Sequence, residues 1–191
     1  MKKSILLLAV TMCSLMSFSQ EQLEINILKS DIKWTADYAF YFNGHNGIVT
    51  FKEGYFIKTN EVITGGEFII DMDTIKNLDI ENEEGKEGLV DHLKNEDFFD
   101  VKKFPIAKLV ISHVKYHDNK HMKIYANLTI KGVTNPVDFQ AEVDYEKAQM
   151  ITKFKIDRTR WNINYNSKEI EGKLKDGIIS DAIGFEVKLS L

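Results

Sequence analysis

The sequence predicts an all-β fold, an antiparallel eight-stranded barrel with a short helix in its one long connection. Three observations carry this. The dominant hydrophobic period is two, so each run has one apolar and one wet face. Turn-forming residues separate the runs at hairpin spacing. Helical spacing is confined to one brief stretch. About eight half-apolar antiparallel strands in series satisfy their edges by closing on themselves. Closure leaves an interior that side chains can fill or one small ligand can occupy.

The first nineteen residues stand apart. Lys2 and Lys3 precede an apolar run from Ile5 to Met12, and Ser17 and Ser19 stand three and one residues before a cut at Gln20. This is the pattern of a Sec signal peptide over residues 1–19, followed by one barrel domain over 20–191. The expected location is therefore periplasmic or extracellular. The run is too short for a spanning helix, which needs about twenty apolar residues, and no integral membrane segment follows. Cys13, the only cysteine, falls in the leader. Acylation of Cys13 would make a lipoprotein, but Met12 stands where a small residue is normal. Without the leader the chain has no thiol for a disulfide, a nucleophile or a metal.

The strands then follow in order. Leu23–Leu28, Asp31–Ala36, Ile48–Ile57 and Val62–Met72 read as the first four, with Glu53-Gly54 as a bend in the third. The connection from Ile75 to Phe104 carries the helical candidate, Glu87–Asn95. Ala107–Tyr116 is the next strand, and His117-Asp118-Asn119-Lys120 makes a tight hairpin. Ile124, Ala126, Leu128 and Ile130 alternate with polar residues, as do Val137, Phe139, Ala141 and Val143 across the turn at Lys131–Pro136. Ala148–Asp157, a turn near Arg160–Asn164, and the alternating Phe185, Val187, Leu189 and Leu191 complete the chain. The two prolines, Pro105 and Pro136, are expected just before strands, where a missing N–H does least harm.

There are 25 basic and 29 acidic residues, and loss of Lys2 and Lys3 leaves a net charge of −6. The charges are interspersed, with one acidic loop at Asp79–Glu87. No basic patch offers itself to nucleic acid or an anionic membrane.

Candidate chemistry concentrates in Asp91–Pro105, DHLKNEDFFDVKKFP. His92 and Glu96, four apart, could share a helical face as two metal ligands. An enzyme would further need a pocket and a charge-stabilising group within reach, and the stretch supplies neither. The structural alternative is a short helix whose Leu93, Phe98 and Phe99 cover one barrel end, with Asp97 capping a turn. His117, His121 and Asp118 flank a surface turn and make a poor metal set. No catalytic or metal residue is therefore assigned. His45, in a Gly-flanked loop, together with His92, Phe98, Phe99, Arg158 and Arg160, are candidates for the mouth. One of the two arginines is expected to pair with Asp157 or Asp181. Trp34, Phe51, Phe68, Ile111, Leu128, Phe139, Phe154 and Phe185 are apolar strand positions that point inward if the barrel closes, and Trp161 joins them as a ligand-contact candidate. Periodicity does not separate a filled barrel from a lined one.

Five stretches in order resemble the YceI-like proteins, secreted bacterial barrels of lipocalin-like shape. They are Gly65–Met72, then Asp91–Val101 with Phe104-Pro105, Leu128–Thr134, Asp157–Ile163 and Asp176–Asp181. The resemblance implies an extended antiparallel barrel around an apolar cavity. Characterised relatives hold a long isoprenoid or a fatty amide there, and no catalytic residue is established for the family as a whole. Many members open with an acid, then His-Ser, then alternating apolar residues and a second His. Here that strand reads Ser30–Thr35, followed by Asn43–Gly47, so the entrance differs. The expected function is a binding protein for a long apolar molecule (isoprenoid, fatty acid or fatty amide), with no cofactor beyond such a ligand. A homodimer remains open. The alternatives are a solid-core stress-related or partner-binding barrel and, third, a metal or hydrolytic enzyme.

Overall fold

A computed structural model of the chain describes residues 20–167 and 177–191. The signal-peptide reading and Cys13 lie outside the described residues. Among the described residues there are nine strands: β1 (Gln20–Glu24), β2 (Asp31–Tyr38), β3 (Gly44–Thr59), β4 (Val62–Asn77), β5 (Ile106–Tyr116), β6 (His121–Ile130), β7 (Val133–Asp144), β8 (Gln149–Asp157) and β9 (Ile179–Ser190). One α-helix, α1 (Glu83–Lys94), lies between β4 and β5, and single 3-10 turns occur at Ile27–Lys29 and Arg158–Trp161.

Strands β2 to β9 pair antiparallel, each with its sequence neighbour, and β2 pairs β9 to close an eight-stranded barrel. Strand β1 is a ninth, lying on β3 beyond the end of β2. The predicted strand Leu23–Leu28 is therefore corrected. The chain leaves β3 after Glu24, turns through Ile27–Lys29, and rejoins it as β2. Ser30 fixes this step, its hydroxyl donating to Asn26 O at 2.8 Å and accepting from Ser190 N at 3.0 Å.

Alternation builds the wall. In β6 every second residue is buried, from Met122 through Ile124, Ala126 and Leu128 to Ile130. The outward residues form cross-strand ion pairs, Lys108–Glu67 at 2.8 Å, Lys123–Asp138 at 2.7 Å and Lys153–Glu186 at 2.7 Å. Exposed pairs of this kind contribute at most about 1 kcal/mol each. Their presence around the barrel is nonetheless unlike the apolar outer band of a membrane barrel. No helix among the described residues is long and apolar enough to cross a membrane.

Two-residue turns set the register. Lys131 (φ 50°) and Gly132 (φ 75°) join β6 to β7 with both residues left-handed, the geometry that matches strand twist. A Cβ on Gly132 would stand 2.8 Å from the Phe104 ring, so glycine is needed there twice over. Glu53-Gly54 does mark a register shift in β3, between Phe51 and Glu53.

Other boundaries moved for local reasons. The helix begins at Glu83 rather than Glu87, because the Asn82 side chain accepts from Gly85 N at 2.7 Å and Glu83 and Glu84 occupy the first turn. Strand β9 begins at Ile179, six residues ahead of the alternating run that predicted it. Pro136 lies inside β7 rather than before it, on a stretch where β7 has no ladder to β8.

Candidate functional site

The inward faces enclose a cavity of about 160 Å³ along the barrel axis, with no polar atom opening on it. Its floor is Phe56, Met150 and Leu189, buried among Met122 and Val143 at the end where the β3–β4 and β7–β8 hairpins turn. Its roof, at the opposite end, is Leu93, Phe98 and Phe99 from the long connection, with Arg158 and Ile179. The connection reaches this position because Leu93 of the helix and Phe98 and Val101 of the turn after it are buried. A compact turn then returns the chain, with Phe99 N on Leu93 O, Asp100 N on Asn95 O and Val101 N on Lys94 O. The Asn95 side chain, not that of Asp97, caps this turn by accepting from Asp97 N. Lys131 fastens it to the β6–β7 turn, its ammonium donating to Glu96 O at 2.6 Å.

Trp34, Phe51, Phe68, Ile111, Leu128, Phe139, Phe154 and Phe185 all line the cavity. The aromatic ones fall in two groups. Phe139 stacks on Phe154 with centroids 4.5 Å apart, and Phe154 lies 5.5 Å from Phe185, so three adjacent strands share one ring row. Phe68 sits against Phe56 at 5.0 Å and Phe51 at 6.1 Å. Further lining groups, including Ile32, Val49, Met72, Ile124 and Ile183, were not among the sequence candidates. They stand two or four residues from named positions or on the same inward rows, so the period-two signal could have found them.

Trp161 is fully buried but is not on the cavity wall. Its indole N–H donates to Leu128 O at 3.0 Å, which ties the Arg158–Trp161 turn to β6. Arg158 is 1% exposed and lies at the roof, with its donors turned to the chain: Nε to Ser180 O at 3.1 Å, one terminal nitrogen to Ile163 O at 2.8 Å, the other to Ile179 O at 3.3 Å. Asp181 completes the set at 3.5 Å and accepts from the Ser167 hydroxyl at 2.7 Å. Burial lowers the Arg158 pKa from its ordinary value, and the charges of Asp181 and Asp157 oppose that. Arg158 thus has the carboxylate partner expected of one arginine. Arg160 lies outside, donating to Pro136 O at 2.9 Å with its guanidinium over the Trp161 ring.

At the roof, His92 meets Phe98 and Tyr165 edge-on at 5.0 and 4.6 Å, and its Nε2 is 3.5 Å from the Asp97 carboxylate. This joins the helix to the connection after β8. Tyr165 had no periodic signal to mark it. His45 stands at the start of β3, its Nδ1 2.8 Å from Asp79. Asp79 also accepts from Asn46 N and Asn77 Nδ2 at 2.7 Å each. Partial burial pushes the Asp79 carboxyl upward, but the bonds from Asn46, His45 and Asn77 together hold it below the usual value. Among the described residues, no three or more His, Cys, Asp or Glu side chains gather as a metal set. His92 and Glu96 do not converge on a third ligand.

A closed, eight-stranded antiparallel barrel with an apolar lumen and a helix over one end has the lipocalin-like barrel shape. The chain belongs to the YceI family, matching a YceI-like domain over residues 23–191. A UPF0312 protein of Pseudomonas putida is 44% identical over 55 residues, and one from Photorhabdus laumondii is 38% identical over 52. The matched segments span 29% and 27% of those relatives' own lengths. Among solved structures, BcnA of Burkholderia cenocepacia superposes with a TM-score of 0.68 at 18% identity, covering 86% of this chain and 98% of that one. A mutant YCEI protein of Campylobacter jejuni, solved with a monobromobimane guest, gives a TM-score of 0.52 at 19% identity over 98% and 96% of the two chains. At these identities the likeness is one of fold.

Proposed function

We propose that the barrel is an exported binding protein that holds the hydrocarbon part of a long-chain molecule in its lumen, without turnover. The ligand class is an isoprenoid, a fatty acid or a fatty amide. The observation that carries this is the wholly apolar cavity, closed at its floor by Phe56, Met150 and Leu189 and roofed by a helix-bearing connection. Each buried CH₂ gains about 0.8 kcal/mol, so affinity rises with chain length and needs no catalytic group.

The cavity also sets conditions. At about 160 Å³ it is close to the size that admits one benzene, so a long chain requires lining side chains to move aside. No polar atom waits inside, and a buried carboxylate without a partner is costly, so the head group stays at the roof and the tail enters. Native mass spectrometry of the purified protein tests this reading. A bound long-chain species, released by organic extraction and re-bound as a function of chain length, is expected. A ligand-free barrel that takes up no such chain at micromolar concentration would establish the second reading, a solid-core partner-binding barrel. The small size of the cavity is what favours that reading.

A further inference from the structure

A cavity of about 160 Å³ admits a long chain only when lining groups move, and one joint of the barrel lets them move with least loss. Strand β7 ladders to β8 at four positions, Ala141 to Asp144, the shortest of the eight joints that close the barrel; the next shortest have six. Both strands run on past the last pair, β7 back to Val133 and β8 on to Asp157. Phe139 and Phe154 meet in that unladdered stretch, with centroids 4.5 Å apart and planes 15° from parallel, and both line the cavity. We infer that these two rings set the length of hydrocarbon chain the barrel accepts, by parting along the β7–β8 seam as the chain fills the lumen. This deepens the lumen reading above and rests on it.

The backbone of β7 has the character of an edge on this side. A strand residue points its N–H and C=O the same way. Pro136 O accepts from Arg160 and Gln140 O from the Thr152 hydroxyl, whereas Val143 N donates to Lys120 O on the β6 side. Even-numbered residues of this stretch therefore present their backbone to β8. Proline at 136 lacks its N–H on the seam side, where a ladder would need it, and proline within a sheet belongs to edges. Side chains pin the seam at its two ends, Thr152 toward the floor and the exposed Asn135 and Arg160 toward the roof. The rings lie between these pins. Parting them breaks no ladder, and Phe154 is only partly buried to begin with. A chain inserted between them exchanges ring contact for methylene contact, so apolar burial is kept. Parting any other joint at this depth separates paired backbone groups. Lifting the roof would expose the buried Leu93, Phe98 and Val101 and undo the backbone bonds of their turn.

Saturated fatty acids from octanoate to stearate, added from ethanol and read by native mass spectrometry, test this. Affinity for the parent protein should rise along the series. Carrying the register on from Ala141 and Thr152 sets the exposed Asp138 opposite the exposed Lys155. In a Cys13→Ser background, Asp138→Cys and Lys155→Cys can be joined across the seam by a short bis-methanethiosulfonate reagent. The joined barrel should bind octanoate as the parent does but stearate about tenfold or more weakly, because added methylenes no longer find room. Reduction of the link should restore stearate binding. Lys153→Cys with Glu186→Cys, joined in the same way across the laddered β8–β9 edge, should leave both affinities unchanged. Without any substitution, stearate should raise amide exchange at Phe139–Gln140 and Lys153–Lys155, and octanoate should not. Stearate bound equally by the joined and parent barrels, or a loss equal along the series, overturns the inference and leaves the lumen reading standing. Exchange that rises in Asn95–Phe104 instead assigns the yielding to the roof and also overturns it. A parent protein that binds no member of the series defeats the lumen reading itself and this inference with it.

Discussion

The two edges of β7 are built by different means. Toward β6 the strand runs through ten paired positions, from Glu142 opposite His121 to Val133 opposite Ile130. Toward β8 it pairs only at Ala141 to Asp144. Beyond that, side chains do the joining. Phe139 stacks on Phe154, Thr152 donates to Gln140 O at 2.6 Å, Asn135 donates to Arg160 O at 2.7 Å, and Arg160 donates to Pro136 O. The Arg158–Trp161 turn thus completes the barrel where its ladder stops. One edge is held by local backbone geometry. The other depends on side chains twelve to twenty-five positions apart meeting correctly, so it should yield first.

The severest way to break this difference is Arg158→Ala. It removes a buried charge that satisfies three carbonyls and leaves Asp181 without its counter-charge, at a cost of about 3–5 kcal/mol. Denaturant unfolding should show it, and amide exchange should rise in Lys153–Asp157 before it rises in Lys123–Ile130. Equal protection in both segments would mean that the two edges are not distinct. Gly132→Ala attacks the ladder edge from its turn. A left-handed alanine costs about 1–2 kcal/mol, and contact with Phe104 adds to that. Its loss in thermal stability should accompany loosened protection at Ile130–Val133 while β8 stays protected. Arg160→Ala with Asn135→Ala is milder, about 1 kcal/mol, because both groups can turn to water. Its effect should concentrate on the β8 side and be larger in the presence of Phe154→Ala than alone.

The smallest effect is one of pH, on the laddered side. Asp118 accepts from Lys120 N and His121 N and sits 2.8 Å from the His121 ring, and these bonds hold its carboxyl at about 2. A depressed carboxyl stabilises the fold above its unfolded value, near 4, and that contribution disappears as pH falls toward 2. The β5–β6 turn should therefore open in that acid window. Asp118→Asn should remove the pH dependence without touching β7. Acid sensitivity that instead persists in the variant would place its origin elsewhere.

Much of this molecule was legible in its alternation. The inward positions of β6 and β7, the hairpin at His117–Lys120 and the covering role of Leu93, Phe98 and Phe99 all follow from residues within a few positions of one another. The start of β9 did not. Ser180-Asp181-Ala182 breaks the apolar alternation because Asp181 points inward against the period, where Arg158 and the Ser167 hydroxyl meet it. Trp161, named as a ligand-contact candidate, is fully buried and anchors the turn through its indole N–H on Leu128 O. The network of Asp79, Asn77, His45 and Asn46 was equally silent, being assembled from two strand ends and a loop.

Sequence by itself determined that the strands alternate, that they are joined by tight turns and that the chain carries the five YceI-like stretches. Period and turn chemistry are local, written in residues two to four apart. The tertiary structure decided that the barrel closes between β2 and β9, that β7 is sealed on one side by the Arg158–Trp161 turn, and that an apolar cavity runs along the axis. Those are sums over all eight strands. Cavity volume is the small remainder when side chains from every strand are packed into one fixed enclosure, and no single segment contains that difference.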